Sequence, residues 1–182
     1  MNSKPLLSLE EKIKPGHTAI IVVDMQNDYC SPEGAVSGKH DWRRVQAIIP
    51  RFRNFLDKAR ENQVRIIFIQ TNREEHDLSG PELELRTRWG RKGCVSRRGS
   101  WGAKFDDNLQ PRDADTIVEK TKYSAFTGTD LDDLLKGWGV RTLVMTGVST
   151  CTCVETTTRD GFMRDYYIIL AKDLTAAYDE SL

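Results

Sequence analysis

Apolar residues along the chain fall into two rhythms, short continuous runs and runs at helical spacing, and the two alternate. Thr18 to Val23 and Val64 to Gln70 are nearly continuous apolar stretches, which suits strands buried on both faces. Between them Val45, Ile48, Ile49, Phe52, Phe55, Leu56 and Ala59 recur at helical spacing, predicting a helix with one face on a core. Asp115 to Val118 predicts a third strand. Thr129 to Trp138 predicts a helix that turns Leu131, Leu134, Leu135 and Trp138 inward and stops at Gly139. Val140 to Thr146 predicts the fourth strand, a helix with Cys153 near its start follows to about Asp165, and Tyr166 to Ala171 predicts the fifth. Asp173 to Leu182 reads as the start of another helix. Residues 71 to 113 form a long polar stretch dense in Arg, Glu and Gly, with one helical turn near Leu83 to Trp89. Connections of that length usually act as lids or binding loops.

Strands alternating with helices predict an α/β fold, a mostly parallel sheet covered on both faces. The carboxyl ends of parallel strands open on one edge. Asp24 directly follows the first strand and Lys120 the third, and Cys153 follows the fourth through the turn Gly147-Val148-Ser149-Thr150-Cys151-Thr152. Groups far apart in the chain are therefore expected to converge. At a helix start, unpaired N–H groups and the dipole favour thiolate at Cys153 and can receive an oxyanion. Burial would disfavour a charge on Asp24, and Lys120 opposite it would restore that charge. Such a trio supplies a nucleophile, a proton carrier and an electrostatic anchor without histidine. The same spacing also fits a buried ion pair beside an unrelated packed cysteine, and both readings stay open.

Composition narrows the rest. A length of 182 residues without a Pro-, Gly- or Ser-rich linker predicts one domain over 1–182. With 27 basic and 27 acidic residues, bulk charge does not draw the chain to nucleic acid or an anionic membrane. A small neutral or modestly charged partner is expected. The apolar runs are too short to span a bilayer and Met1 to Pro15 lacks a signal-peptide core, so a soluble, cytoplasmic protein is expected. Cys30, Cys94, Cys151 and Cys153 show no framework spacing and should be free thiols.

Other chemistries find weaker support. Of the histidines, His17 precedes the first strand and falls at the wrong edge, while His40 and His76 in loops read as solvated. Cys151 and Cys153 lack the second pair of a zinc site, and no glycine pattern cradles a nucleotide, so neither metal nor cofactor is expected. A redox protein using Cys151 and Cys153 remains an alternative. Tyr29, Trp89, Trp101 and Tyr123 lie in or beside strand-end loops, where they can wall a small pocket. Arg73, Arg86, Arg88, Arg91, Arg97 and Arg98 read as mostly solvated, with one or two available to clamp a substrate carboxylate.

Three motifs together resemble the isochorismatase-like cysteine hydrolases, a family that includes nicotinamidases, N-carbamoylsarcosine amidase, biuret hydrolase and ureidoacrylate amidohydrolase. They are Ile21-Val22-Val23-Asp24-Met25-Gln26-Asn27-Asp28, Val118-Glu119-Lys120-Thr121-Lys122-Tyr123-Ser124-Ala125-Phe126, and Gly147-Val148-Ser149-Thr150-Cys151-Thr152-Cys153-Val154-Glu155. The resemblance implies a three-layer α/β/α, Rossmann-like fold and a catalytic triad of Asp24, Lys120 and Cys153. It further implies a cis peptide between Val148 and Ser149, an oxyanion hole from the Ser149 and Cys153 amides, substrate contacts from Tyr29, Asn72, Trp89, Trp101 and Tyr123, and a dimer or tetramer. By the same likeness, Cys153 would attack a small amide, ureido or N-carbamoyl compound, form a thioester and release ammonia. A catalytically inactive binding member of the fold is the other possibility the likeness leaves. Where nicotinamidases carry an Asp-x-His metal arrangement, this sequence reads Gln70-Thr71-Asn72-Arg73-Glu74-Glu75-His76, which argues against a metal and against nicotinamide. The presence of Cys153 argues against isochorismate chemistry. Tyr123 to Phe126 and Cys153 to Phe162 look most like the ureidoacrylate and N-carbamoyl branch, and relatives usually continue with a helix and a strand beyond the Thr175 region.

Overall fold

A computed structural model of the chain describes residues 4–90 and 93–179. The strands are β1 (Thr18–Val23), β2 (Arg65–Thr71), β3 (Thr116–Lys120), β4 (Thr142–Val148) and β5 (Tyr167–Ala176). The helices are α1 (Leu9–Lys12), α2 (Asn27–Cys30), α3 (Arg43–Glu61), α4 (Gly80–Arg88), α5 (Leu131–Gly137) and α6 (Glu155–Phe162), the last preceded by a wide turn of π-helical pitch over Thr150–Val154.

The strands form one sheet in the order β3-β2-β1-β4-β5, with each strand parallel to its neighbours. Alternate residues of β1 serve opposite faces, as period two requires. Ile20 and Val22 pack with Val45, Ile49, Phe52 and Leu56 of α3, whereas Ala19, Ile21 and Val23 pack with Leu131 and Leu135 of α5. The result is helices on both sides of a sheet whose central strand is fully buried. Helix α3 matches its expected apolar face and continues through Pro50, which forfeits one backbone hydrogen bond.

Chain order reverses at β1, because β2 and β3 lie on one side of it and β4 and β5 on the other. The crevice beyond β1 and β4 is thus the switch point where open α/β sheets bind ligands. Close approach there needs Gly147: its φ is 103°, and a Cβ would lie 2.1 Å from the Val23 carbonyl oxygen.

Two sequence expectations change. The single turn near Leu83 is a nine-residue helix, α4, begun by a capping box between Ser79 and Glu82. The expected helix from Asp173 is instead the continuation of β5 to Ala176, with a register irregularity opposite Met145 and Gly147. Pairing with the end of β4 outweighs the helix-compatible composition there. Residues 177–179 are not helical, and 180–182 lie outside the described residues. No helix among the described residues is long and apolar enough to cross a membrane.

Candidate active site

Lys120 closes β3 on the buried phase of that strand, since Val118 and Lys120 are buried while Ile117 and Glu119 are exposed. The pairing of Thr71 with Lys120, and of Ile69 with Val23, sets Thr71 between Lys120 and the residue after β1. That residue is Asp24, whose φ of 51° turns the chain out of the strand. The Lys120 ammonium lies 2.9 Å from Asp24 Oδ2 and donates to Thr71 Oγ1 at 2.8 Å and the Lys122 carbonyl at 3.0 Å. Thr71 in turn donates to Asp24 Oδ1 at 2.9 Å. Cys153 Sγ is 3.7 Å from the same ammonium. Asp24, Lys120 and Cys153 thus meet at one edge, at exposures of 1%, 2% and 7%.

Burial and charge decide the protonation states. Desolvation works against the Lys120 ammonium, but the adjacent Asp24 charge outweighs it and holds the lysine pKa above its ordinary value. For Cys153 burial dominates and pushes the thiol pKa up to about 12; Lys120 pulls it down, while the Asp24 charge and the thiol's hydrogen bond to Asp24 hold the proton on. This corrects the expectation of a resting thiolate: the helix start is present, but the site is too desolvated for its dipole to prevail. Burial therefore favours the neutral thiol at rest.

Around this center the motifs brace one another. The buried Gln26 donates to the carbonyls of Thr71 at 2.8 Å and Ala103 at 2.7 Å and accepts from the Thr71 N–H at 2.8 Å. Asp28 accepts from the N–H groups of Ala35 and Ser96, tying the long 71 to 113 segment to the start of the chain. Thr157 of α6 donates to the Cys153 carbonyl at 2.7 Å and accepts from the Ala125 N–H at 3.0 Å. The peptide bond between Val148 and Ser149 is cis. The Ser149 carbonyl accepts from the N–H groups of Thr152 and Val154.

A cavity of about 500 Å³ opens over Asp24, Ser149 and Cys153. Of the residues expected to contact substrate, Tyr29, Trp89 and Tyr123 line its wall. Asn72 and Trp101 do not. Period two explains Asn72, because Thr71 and Arg73 face the cavity side and the residue between them turns away; it is buried, with its N–H on the Lys120 carbonyl. Trp101 is drawn elsewhere by its own backbone, which accepts from Asn27 Nδ2 at 2.9 Å.

Other residues enter the wall against expectation. Arg73 is only 7% exposed rather than solvated, and Arg86 lies at the rim of the same cavity. His40 remains exposed, as expected, while bordering the cavity, where it stacks on Tyr178 with ring centroids 5.3 Å apart, and Tyr178 donates to the Tyr29 carbonyl. Arg88, Arg97 and Arg98 remain exposed, and Arg91 lies outside the described residues. Cys151 also faces the cavity, but its sulfur neighbours Ser149 Oγ and Thr152 Oγ1 rather than the ammonium. Among the described residues no three His, Cys, Asp or Glu side chains are grouped to hold a metal ion.

Comparison with known proteins places these features in context. Residues 18–182 match the family described as isochorismatase domain. Ureidoacrylate amidohydrolase RutB of Agrobacterium fabrum is 33% identical over 176 residues, covering 90% of this chain and 77% of that protein. A cysteine hydrolase from Pseudomonas syringae superposes with a TM-score of 0.78 at 33% identity, over 97% of this chain and 79% of that one. N-carbamoylsarcosine amidase from Thermoplasma acidophilum superposes with a TM-score of 0.75 at 28% identity, over 91% of this chain and 87% of that one.

Proposed function

This chain belongs to the isochorismatase-like cysteine hydrolases, and from that premise we propose that it cleaves a small amide, ureido or N-carbamoyl compound with Cys153 as nucleophile. It is a hydrolase acting on non-peptide C–N bonds. The observation that carries the assignment of roles is the Lys120 ammonium, 2.9 Å from Asp24 and 3.7 Å from Cys153, at the floor of a cavity.

In this mechanism Asp24 takes the Cys153 thiol proton as sulfur attacks the substrate carbonyl, so a reactive thiolate exists only with substrate in place. The new C–S bond leaves negative charge on the carbonyl oxygen, and the Ser149 and Cys153 amides are the donors proposed to receive it. Collapse breaks the C–N bond, and Asp24 returns its proton to the departing amine, releasing ammonia. Water then attacks the thioester, Asp24 accepts its proton, the C–S bond breaks, and the sulfur recovers the proton. Lys120, 2.9 Å from Asp24, anchors the carboxyl group beside the sulfur. Thr71 supplies the second hydrogen bond that fixes the carboxylate's orientation.

The kinship with ureidoacrylate amidohydrolase and N-carbamoylsarcosine amidase supports ureido and N-carbamoyl compounds as the first candidates. An ammonia-release screen over ureidoacrylate, N-carbamoyl amino acids, biuret, nicotinamide and simple amides tests the reading. Cys153→Ala should abolish release from every accepted compound, and Cys151→Ala should retain most of it. Loss in Cys151→Ala with Cys153→Ala unaffected would reassign the nucleophile.

A further inference from the structure

We infer that Arg73 is the carboxylate-recognition residue of this cavity, so that the compound cleaved at Cys153 carries a carboxylate at the end away from the scissile carbonyl. The inference rests on the hydrolase reading above and adds the chemistry of the substrate's far end.

Arg73 combines burial with unmet hydrogen-bonding demand. Its side chain is 9% exposed, it lines the cavity, and its Nε has no hydrogen-bond partner. A guanidinium has five N–H donors and stays charged at any working pH, so a buried one needs acceptors. Its nearest carboxylate, Glu82, does not supply them. Glu82 Oε2 already accepts from the Ser79 N–H and hydroxyl, both at 2.9 Å, and from the Lys122 ammonium. The contact left for Arg73 is Oε1 to Nη1 at 3.7 Å, an ion pair too long to be a hydrogen bond. Tyr29 lies within hydrogen-bonding reach, but burial raises its pKa, so it is a neutral phenol and no counter-charge. Asp24 and Glu82 are themselves paired with Lys120 and Lys122.

The backbone holds this guanidinium in place. The Arg73 N–H donates to the Ser96 carbonyl and its carbonyl accepts from the Arg98 N–H, forming an isolated parallel bridge with Arg97 just beyond β2. A side chain launched from a fixed backbone loses little freedom on binding, which favours bidentate capture of a planar carboxylate. Arg73 and Cys153 line the same cavity of about 500 Å³. A carboxylate held there and a carbonyl held at Cys153 therefore belong to one compact, linear molecule. Val36, Leu78, Leu85 and Trp89 add apolar wall to the same cavity.

Matched compounds that differ only at the far end test this. N-carbamoyl-β-alanine and N-carbamoylglycine carry a carboxylate where 3-hydroxypropylurea and 2-hydroxyethylurea carry a hydroxymethyl group. The native enzyme should prefer the acids by about 100-fold in kcat/KM, the scale of a buried charge-assisted pair. Arg73→Met should erase that preference, costing the acids about 100-fold more in kcat/KM than the matched alcohols, with the differential carried mainly by KM. Arg73→Lys, which keeps the charge and loses the fork, should fall between. Calorimetric binding of N-carbamoyl-β-alanine to Cys153→Ala protein, with and without Arg73→Met, should show the same weakening of about 100-fold.

Equal loss on acids and alcohols in Arg73→Met would mean a structural role and overturn the inference. So would a native enzyme that releases ammonia from acids and alcohols equally well, with the hydrolase reading left standing. Ammonia release from none of the compounds, together with no binding to the Cys153→Ala protein, would remove both readings.

Discussion

The hydroxyl of Thr71 accepts from Lys120 and donates to Asp24, so it fills one hydrogen-bonding position on each member of a buried charge pair. Thr71→Val keeps the shape and deletes both bonds. The cost of an unmet buried polar group predicts a fall in kcat of about 10- to 100-fold, with KM little changed and Thr71→Ser restoring most of it. Steady-state kinetics on the best ureido compound would check this. The same desolvation sets the behaviour of the neighbouring sulfur. With the Cys153 thiol pushed up to about 12, its alkylation by iodoacetamide in a Cys151→Ser background should accelerate about tenfold per pH unit from pH 7 to 9 without a plateau. A plateau below pH 8 would indicate a resting thiolate and require a different proton path. Asp24, Lys120 and Cys153 were legible in the sequence because each falls at or just beyond the carboxyl end of a strand-like run, Cys153 through a short turn, whereas Thr71 was not and Arg73 was only one of six arginines that could clamp a carboxylate. Thr71 and Arg73 lie inside or just past β2, and only the extension of its alternation through Ile69, Thr71 and Arg73 marks them as facing one side.

At the scale of elements, α4 is the least conventional piece, because none of its residues is buried and polar contacts fasten it. Glu82 is the main fastener: it closes the capping box with Ser79, pairs with Lys122 and faces Arg73. Desolvation would raise its pKa, but Lys122 and the Ser79 donors outweigh that and lower it to about 2. A carboxyl with a folded pKa below its unfolded value stabilises above the unfolded pKa, and loses that contribution as pH falls toward the folded one. Glu82→Gln should therefore destabilise α4 at neutral pH by about 1 kcal/mol, a cap's usual contribution, with the difference shrinking as pH drops from about 4.5 toward 2. Amide hydrogen exchange across residues 80–88 is the measurement that resolves it. Equal protection in both proteins at neutral pH would show that something other than Glu82 fixes the helix. This helix was hard to read because its sequence lacks an apolar stripe; its stability comes from Lys122 and Arg73, which adjoin it only after folding.

The whole molecule brings its chemistry together through the reversal of strand order at β1, so the junction of β1 with β4 carries both the core and the site. Alternating strands and helices were enough to indicate a parallel sheet and a shared edge. They could not indicate which strands are neighbours, and hence that Lys120 reaches Asp24 across the end of β2. They also could not show that β5 would extend past Asp173 once β4 offered it a partner. The tightest point of that junction is Gly147, where a methyl group would lie 2.1 Å from the Val23 carbonyl oxygen and 2.6 Å from its nitrogen. Both obstacles are backbone atoms of a fully buried strand, so no side-chain rotation relieves the contact, and the φ of 103° is itself unfavourable for any residue with a Cβ. Gly147→Ala should therefore act on the fold as a whole, lowering unfolding free energy by more than about 3 kcal/mol, a loss confined to a few mechanisms such as overpacking and backbone strain. Denaturant titration followed by fluorescence and by far-UV circular dichroism would measure it. Because the residue after β1 is Asp24, any native fraction that survives should also show β1 displaced from β4 and a weakened Asp24–Lys120 pair, read as lost ammonia release at unchanged secondary structure. A Gly147→Ala protein with native stability and activity would mean that β1 and β4 are not packed as closely as their register requires.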